Sequence, residues 1–145
     1  PVALAVGFAE AVKIQAGQVD EGDHIGRLRT YLISKLAEVP EIVLNSGSDN
    51  SSVNSIINFS FIPEVLARLD ADALIIRFDL EGIAVSNGSA CTSGSQQPSH
   101  VLLAMGKSKD VAMKSVRASF SRYNTIGDID RLIEAIRKIL TSLSS

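Results

Sequence analysis

The 145-residue sequence has no tryptophan, one cysteine, four prolines and no apolar stretch near the 18 or so residues needed to cross a bilayer. A lone cysteine cannot build an internal disulfide framework. That excludes a disulfide-stapled secreted scaffold and favours a reducing compartment, either cytosol or organelle stroma, so a cytoplasmic location is expected. The only histidines, His24 and His100, lie far apart with no ligand pattern around them, which excludes a structural zinc site. Charge of one sign is also missing: 14 Lys+Arg stand against 16 Asp+Glu, for a net charge of −2. No cluster of five basic residues occurs, so nucleic acid is not an expected partner, and without a membrane span no membrane partner is expected either. Neither common form of the Gly-rich phosphate loop is present. The opening Pro1-Val2-Ala3-Leu4-Ala5-Val6-Gly7-Phe8 is apolar but lacks a basic n-region, and it runs straight into a helical pattern rather than a cleavage site. A start on proline without methionine suits a processed protein or a piece of a longer one.

What the chain does have is packing residues, 46% of the total. A single domain of this size should bury roughly 68–70% of its unfolded surface without help from disulfides or metal. Val2, Ala5, Val6, Ala9, Val12 and Ala16 are helically spaced, and Ile25, Leu28, Leu32, Leu36 and Val39 form a second stripe that ends at Pro40. Ile42-Val43-Leu44 reads as extended and Asn45 to Ser52 as a loop. Ser55 to Ile62 reads as a strand with Ile57, Phe59 and Phe61 on one face, against Ile56, Asn58, Ser60 and Ile62 on the other. Glu64 through Leu80 is expected to be one helix stopped by Gly82, followed by a short strand at Ile83-Ala84-Val85. A helix from near Pro98 to Gly106, a short one over Asp110–Lys114 and a strand from Val116 to Ser121 come next. The last helix opens on a Thr125/Asp128 capping box and carries Ile129, Leu132, Ile133, Ile136, Leu140 and Leu143. The α–β–β–α–β–α–β–α order predicts an α/β fold, a short sheet covered by helices and preceded by a long helix.

Two places carry chemistry. From Ser86 to His100 there is no Val, Ile, Leu, Met, Phe or Tyr, so this stretch cannot build core and is expected to be an exposed loop. Its middle holds Cys91, flanked by small polar residues. Free cysteines are more often buried as small hydrophobes; an accessible thiol on such a loop suits a nucleophile or sulfur carrier, and an incidental surface thiol is the alternative. The second place is Arg117, within a strand, followed by Arg122 just after it. A guanidinium held on a strand suits a two-pronged grip on a carboxylate; the competing reading is a structural ion pair with one of the 16 acids. His24 reads as a solvated residue near a helix start, and His100 as a neighbour of the loop able to influence the Cys91 proton.

The block Ser86-Asn87-Gly88-Ser89-Ala90-Cys91-Thr92-Ser93, with Pro98-Ser99-His100-Val101-Leu102 and Met105-Gly106 after it, closely resembles the active-site cysteine segment of cysteine desulfurases. These are fold-type I, class V aminotransferase-like enzymes. Val116-Arg117-Ala118-Ser119-Phe120-Ser121-Arg122-Tyr123-Asn124-Thr125 is similar to that family's closing strand and turn, at the family's spacing from the first block. Fainter likeness covers Pro1–Val12 and Asn54–Phe61.

The resemblance implies a small C-terminal domain of a fold-type I pyridoxal phosphate enzyme. Residues 1–18 would be the helix linking it to a large domain that this sequence does not contain, and residues 19–145 the small domain, with the cysteine loop at 86–99. It implies that pyridoxal phosphate serves as electron sink, that Cys91 takes the sulfur of L-cysteine as a persulfide and leaves L-alanine, and that Arg117 holds the substrate carboxylate. The long Ser/Gly-rich loop resembles the iron–sulfur-assembly branch, whose members pass sulfur to scaffold or carrier proteins and are commonly homodimers. The family's lysine motif matches none of Lys13, Lys35, Lys107, Lys109, Lys114 or Lys138, so no cofactor-binding residue is assigned, and the chain alone is expected neither to hold the cofactor nor to turn over cysteine. A selenocysteine lyase is a near variant, and a stand-alone persulfide carrier the alternative from another class. The first helix, parted from a large domain, is expected to expose apolar surface.

Overall fold

The computed structural model describes residues 1–17, 21–47, 52–87 and 97–144. Its elements are α1 (Val2–Ala16), α2 (Glu21–Ala37), β1 (Ile42–Leu44), β2 (Ile56–Phe61), α3 (Pro63–Leu66), α4 (Ala71–Leu80), β3 (Ser86–Asn87), α5 (His100–Ala104), α6 (Lys109–Lys114), β4 (Val116–Ser119) and α7 (Ile126–Ser144). The strands form one sheet in the order β1-β2-β4-β3, with every neighbouring pair antiparallel.

The alternation read in β2 sorts the sheet into two faces. Ile57, Phe59 and Phe61 are buried, and their cross-strand partners Ala118 and Val116 on β4 are buried with them. Leu28, Leu32 and Leu36 of α2 and Ile129, Leu132, Ile133, Ile136 and Ile139 of α7 complete this core, joined by Leu74 and Phe78 of α4. The Phe59 and Phe61 rings meet edge to face, centroids 6.3 Å apart, the arrangement that the ring quadrupoles favour. The opposite face carries Asn58, Ser60, Arg117 and Ser119, because directly paired antiparallel residues point to the same side.

Local chemistry sets the element ends. Thr125 and Asp128 form the reciprocal box that starts α7: Thr125 N–H donates to Asp128 Oδ2 at 2.8 Å, and Asp128 N–H to Thr125 Oγ1 at 3.3 Å. Those bonds, with Arg131 beside it, hold the Asp128 carboxyl below its usual range. Gly82 and Gly106 adopt φ of +73° and +79° at the ends of α4 and α5, a left-handed conformation in which a side chain is strained.

Four expectations need correction. The helix expected over 64–80 is two helices, because the Asp70 carboxylate accepts the Asp72 and Ala73 N–H groups at 3.0 and 2.9 Å and so caps a fresh start. The strand expected at Ile83-Ala84-Val85 lies instead at Ser86–Asn87, where β4 offers partners. Ser86 and Asn87 therefore leave the loop assigned to 86–99. At its other end Ser99 is buried and caps α5, its hydroxyl accepting from Leu102 N–H, so α5 begins at His100 rather than at Pro98. The strand expected to reach Ser121 stops at Ser119.

Helix α1 forms as the spacing predicts but buries no residue: Val2, Leu4, Val6 and Phe8 are each more than 60% exposed. No helix among the described residues is long and apolar enough to cross a membrane.

Candidate functional site

Arg117 sits in the middle of β4, which is an inner strand of the sheet. Asn58 of β2 lies directly across from it on one side and Ser86 of β3 on the other. All three are half-buried on the face opposite the helical core. The stem of Arg117 is pinned by its strand, and its Nε is buried without a hydrogen-bond partner. None of the described ion pairs uses Arg117. A buried N–H without an acceptor costs roughly 1–3 kcal/mol, more when the group is charged. An anion that could accept from Nε would remove that cost.

A polar relay lies alongside. Asn45, just past the end of β1, is buried, as is Ser60. The Ser60 hydroxyl points to Asn45 Oδ1 at 3.4 Å, and Asn45 Nδ2 donates to Asn58 Oδ1 at 2.9 Å. The Asn58 backbone is fixed on the same side: its N–H donates to Ser46 Oγ at 2.7 Å, and its carbonyl accepts from Asn45 and Ser46 N–H at 2.9 and 3.0 Å. The sequence pattern places Asn58 and Ser60 on the outer face of a strand and gives them no role. Their signal is two amide or hydroxyl side chains at alternate positions opposite an arginine-bearing strand.

The other sequence-flagged groups separate from this face. Arg122 lies in the turn after β4, its guanidinium 4.8 Å from the Tyr123 ring centroid and its Nη2 donating to the Tyr123 hydroxyl at 2.8 Å. His24 is not solvated: it is half-buried in α2, and its Nε2 is 2.9 Å from the Asn124 carbonyl, tying α2 to the turn that follows β4. His100 is exposed as the first residue of α5. Cys91 lies outside the described residues.

Arg29, to which the sequence pattern assigns no role, is 4% exposed and meets no carboxylate among the described residues. Its guanidinium donates to three backbone carbonyls, those of Ile56 at 2.9 Å, Val53 at 3.2 Å and Gly47. The signal is positional: residue 29 falls within the stripe of Ile25, Leu28, Leu32 and Leu36. A cation on an apolar face has to find acceptors.

Two hollows accompany the sheet. One of about 170 Å³ opens between Gly82–Val85 and Ala118–Phe120, against Asp128 and Arg131. A shallow depression of about 700 Å³ runs along α2 past Arg27, Tyr31, Asn54 and Ile126, and Arg117 is not part of it. Among the described residues no group of three His, Cys, Asp or Glu side chains is placed to hold a metal ion.

A small antiparallel sheet covered by helices agrees with what comparison finds. The aminotransferase class-V family model matches residues 1–132, and the chain belongs to that family. Among its relatives, cysteine desulfurase IscS 1 of Archaeoglobus fulgidus is 33% identical over 146 residues, covering 99% of this chain and 36% of the relative. Cysteine desulfurase IscS of Pectobacterium atrosepticum is 37% identical over 144 residues, covering 99% of this chain and 34% of the relative. The solved structure of a NifS-like protein from Rickettsia africae superposes with a TM-score of 0.77 at 29% identity, covering 93% of this chain and 33% of that one. The chain thus spans about a third of the length of the curated relatives it matches.

Proposed function

We propose that the chain is the C-terminal part of a cysteine desulfurase, with residues 1–18 linking to a large domain and 19–145 forming the small domain. In this reading Arg117 receives the carboxylate of L-cysteine, and the Cys91 thiol takes the substrate's sulfur. The overall exchange balances as L-cysteine plus the Cys91 thiol giving L-alanine plus a Cys91 persulfide, whose outer sulfur then passes to an acceptor such as an iron–sulfur scaffold protein. A reducing, cytoplasmic setting suits a thiol that must stay free between turnovers.

The observation that carries the proposal is the buried, unpaired Nε of Arg117 on the sheet face opposite the helical core. A structural arginine would resemble Arg29, with its donors taken up by protein acceptors. Arg117 keeps a donor in reserve, the arrangement a carboxylate site needs. Chain length adds a constraint. Cys91 comes five positions after Ser86, the cross-strand partner of Arg117. At up to about 3.6 Å per residue its Cα is tethered within ~18 Å of the arginine's neighbour whatever path the chain takes.

Pyridoxal phosphate, which family membership implies, does not fit the residues described. Lys13 is exposed and pairs with Glu10, Lys35 with Glu38 and Lys138 with Glu81. Lys114 donates to the Leu66 carbonyl and pairs with Asp110. In the proposal the cofactor is held by residues outside this chain, and Arg117 and Cys91 serve a substrate delivered from there, in an enzyme that is a homodimer.

The test compares this chain with the protein encoded by the full reading frame. The full-length form should release sulfide from L-cysteine and Cys91→Ser should abolish release, while Arg117→Lys raises KM by a factor of ten or more. Persulfide accumulation on Cys91 of the 145-residue chain alone, with no longer product encoded, would replace the proposal with a stand-alone carrier.

A further inference from the structure

The relay beside Arg117 also fixes the polarity of its neighbour. Both backbone groups of Asn58 are bonded on the β1 side. The pair Asn58↔Arg117 is therefore the non-hydrogen-bonded type, in which facing side chains approach most closely. The Asn58 carbonyl oxygen is held by Asn45 Nδ2 from the β1 side. That leaves its NH₂ group for the β4 side, where Arg117 stands, and among the described residues no acceptor takes it. Ser60 Oγ lies 3.4 Å from Asn45 Oδ1 on the far side of the Asn45 amide, whose Nδ2 points to Asn58. An amide that offered its oxygen would satisfy the guanidinium and occupy it. An amide that offers its nitrogen leaves both donors to an incoming acceptor: Arg117 Nε is buried without a partner, and Asn58 Nδ2 has no protein acceptor among the described residues.

We propose that Asn58 is a substrate-binding residue, donating from Nδ2 to the same carboxylate that Arg117 receives, with Asn45 and Ser60 as positioning residues for that amide. The inference rests on the desulfurase reading above and adds a second donor to it. A carboxylate has acceptor capacity for both partners, since its two oxygens offer about four lone-pair sites.

The discriminating substitution is Asn58→Asp. It keeps an oxygen for Asn45 Nδ2 and the size of the side chain, but replaces the donor facing Arg117 with an acceptor that pairs with it. In the full-length enzyme N58D should raise KM for L-cysteine at least tenfold with kcat changed less than about threefold, while the unfolding midpoint stays near that of wild type. A second readout needs no turnover: in ¹⁵N-edited NMR of the 145-residue chain, the Arg117 Nε–H resonance, identified by its loss in Arg117→Lys, should move on titration with L-alanine. N58D should shift it before any L-alanine is added and blunt the response. Asn58→Leu should weaken L-alanine binding as well, and Ser60→Ala should do so more mildly. Wild-type KM in N58D, with an unmoved Arg117 resonance, would reduce Asn58 to a structural residue of β2 and overturn the inference. Failure of wild-type full-length protein to desulfurate L-cysteine would instead remove the reading on which it rests, while the L-alanine titration still decides whether the two donors share a carboxylate.

Discussion

Replacing Arg29 by methionine removes a buried cation and strands its acceptors. The guanidinium joins α2 to the chain at Gly47 and to the entry of β2 at Val53 and Ile56. Each hydrogen bond to a charged donor contributes roughly 1.5–3 kcal/mol net. Gly47 and Val53 are exposed, so their carbonyls can turn to water, whereas Ile56 belongs to the sheet and has less freedom. One carbonyl deprived outright and two partly compensated gives about 2–4 kcal/mol, offset slightly because methionine keeps the apolar stem and avoids the desolvation of a charge. With urea m-values of about 1–3 kcal/mol/M, the denaturation midpoint should fall by roughly 1–2 M. Thermal unfolding should fall by about 10 °C, given 2–4 °C per kcal/mol for a domain near this size. Arg29→Lys should recover less than half, since an ammonium lacks the planar fork that reaches three acceptors. Limited proteolysis between Asn45 and Ile56 should speed up in parallel. A midpoint for Arg29→Met within about 0.5 kcal/mol of wild type would refute the argument, showing that these carbonyls are as well served by water.

Asp128→Asn should cost about 1 kcal/mol at neutral pH through loss of the α7 box. Because the Asp128 carboxyl is held below its usual range by Thr125 and Arg131, its contribution is complete above the unfolded-state value near 3.9 and fades as pH falls through the lower folded one. Urea titrations of both proteins should therefore converge on acidification, and a gap that widened would contradict the sign. Gly82→Ala should destabilise by roughly 1 kcal/mol from backbone strain alone, because the added methyl meets no atom within 4 Å. Gly7→Ala should instead raise helical circular dichroism by favouring α1, leaving the thermal midpoint in place because α1 buries nothing. The 145-residue chain should self-associate through α1, and light scattering on Leu4→Glu/Phe8→Glu should return it toward monomer; wild-type chain that stays monomeric at high concentration would count against an adhesive helix.

Much of the fold was legible because it rests on periodicity. The stripes of α2 and α7 and the alternation of β2 name the core residues directly, and the α7 box was readable from Thr125 and Asp128. Two failures share a cause, which is that local polar chemistry overrode a plausible apolar pattern. Leu66, Leu69 and Leu74 maintain a helical rhythm across Asp70, yet its carboxylate restarts the helix. Ile83-Ala84-Val85 has the composition of a strand, but pairing falls one step later, where Arg117 and Val116 stand opposite. At the site, Arg117 was visible as an odd residue in a strand. Whether it was paired depended on side chains from distant segments, which no spacing rule reports. Asn45 and Asn58, 13 residues apart, needed the β1–β2 register to bring them together.

The ladder joining β3 to β4 has only two residue pairs, Ser86↔Arg117 and Asn87↔Val116. A ladder that short can unzip at little cost to the core, for Ser86 and Asn87 lie outside the main apolar cluster. Each released residue adds up to about 3.6 Å to the chain length between the sheet and Cys91. Opening both pairs would lengthen the leash on Cys91 by ~7 Å while α2, α7 and the rest of the sheet stay in place. The clasp is fastened to the strand that carries Arg117. In the proposed desulfurase, its release would set how far a sulfur taken up by Cys91 could travel from the arginine.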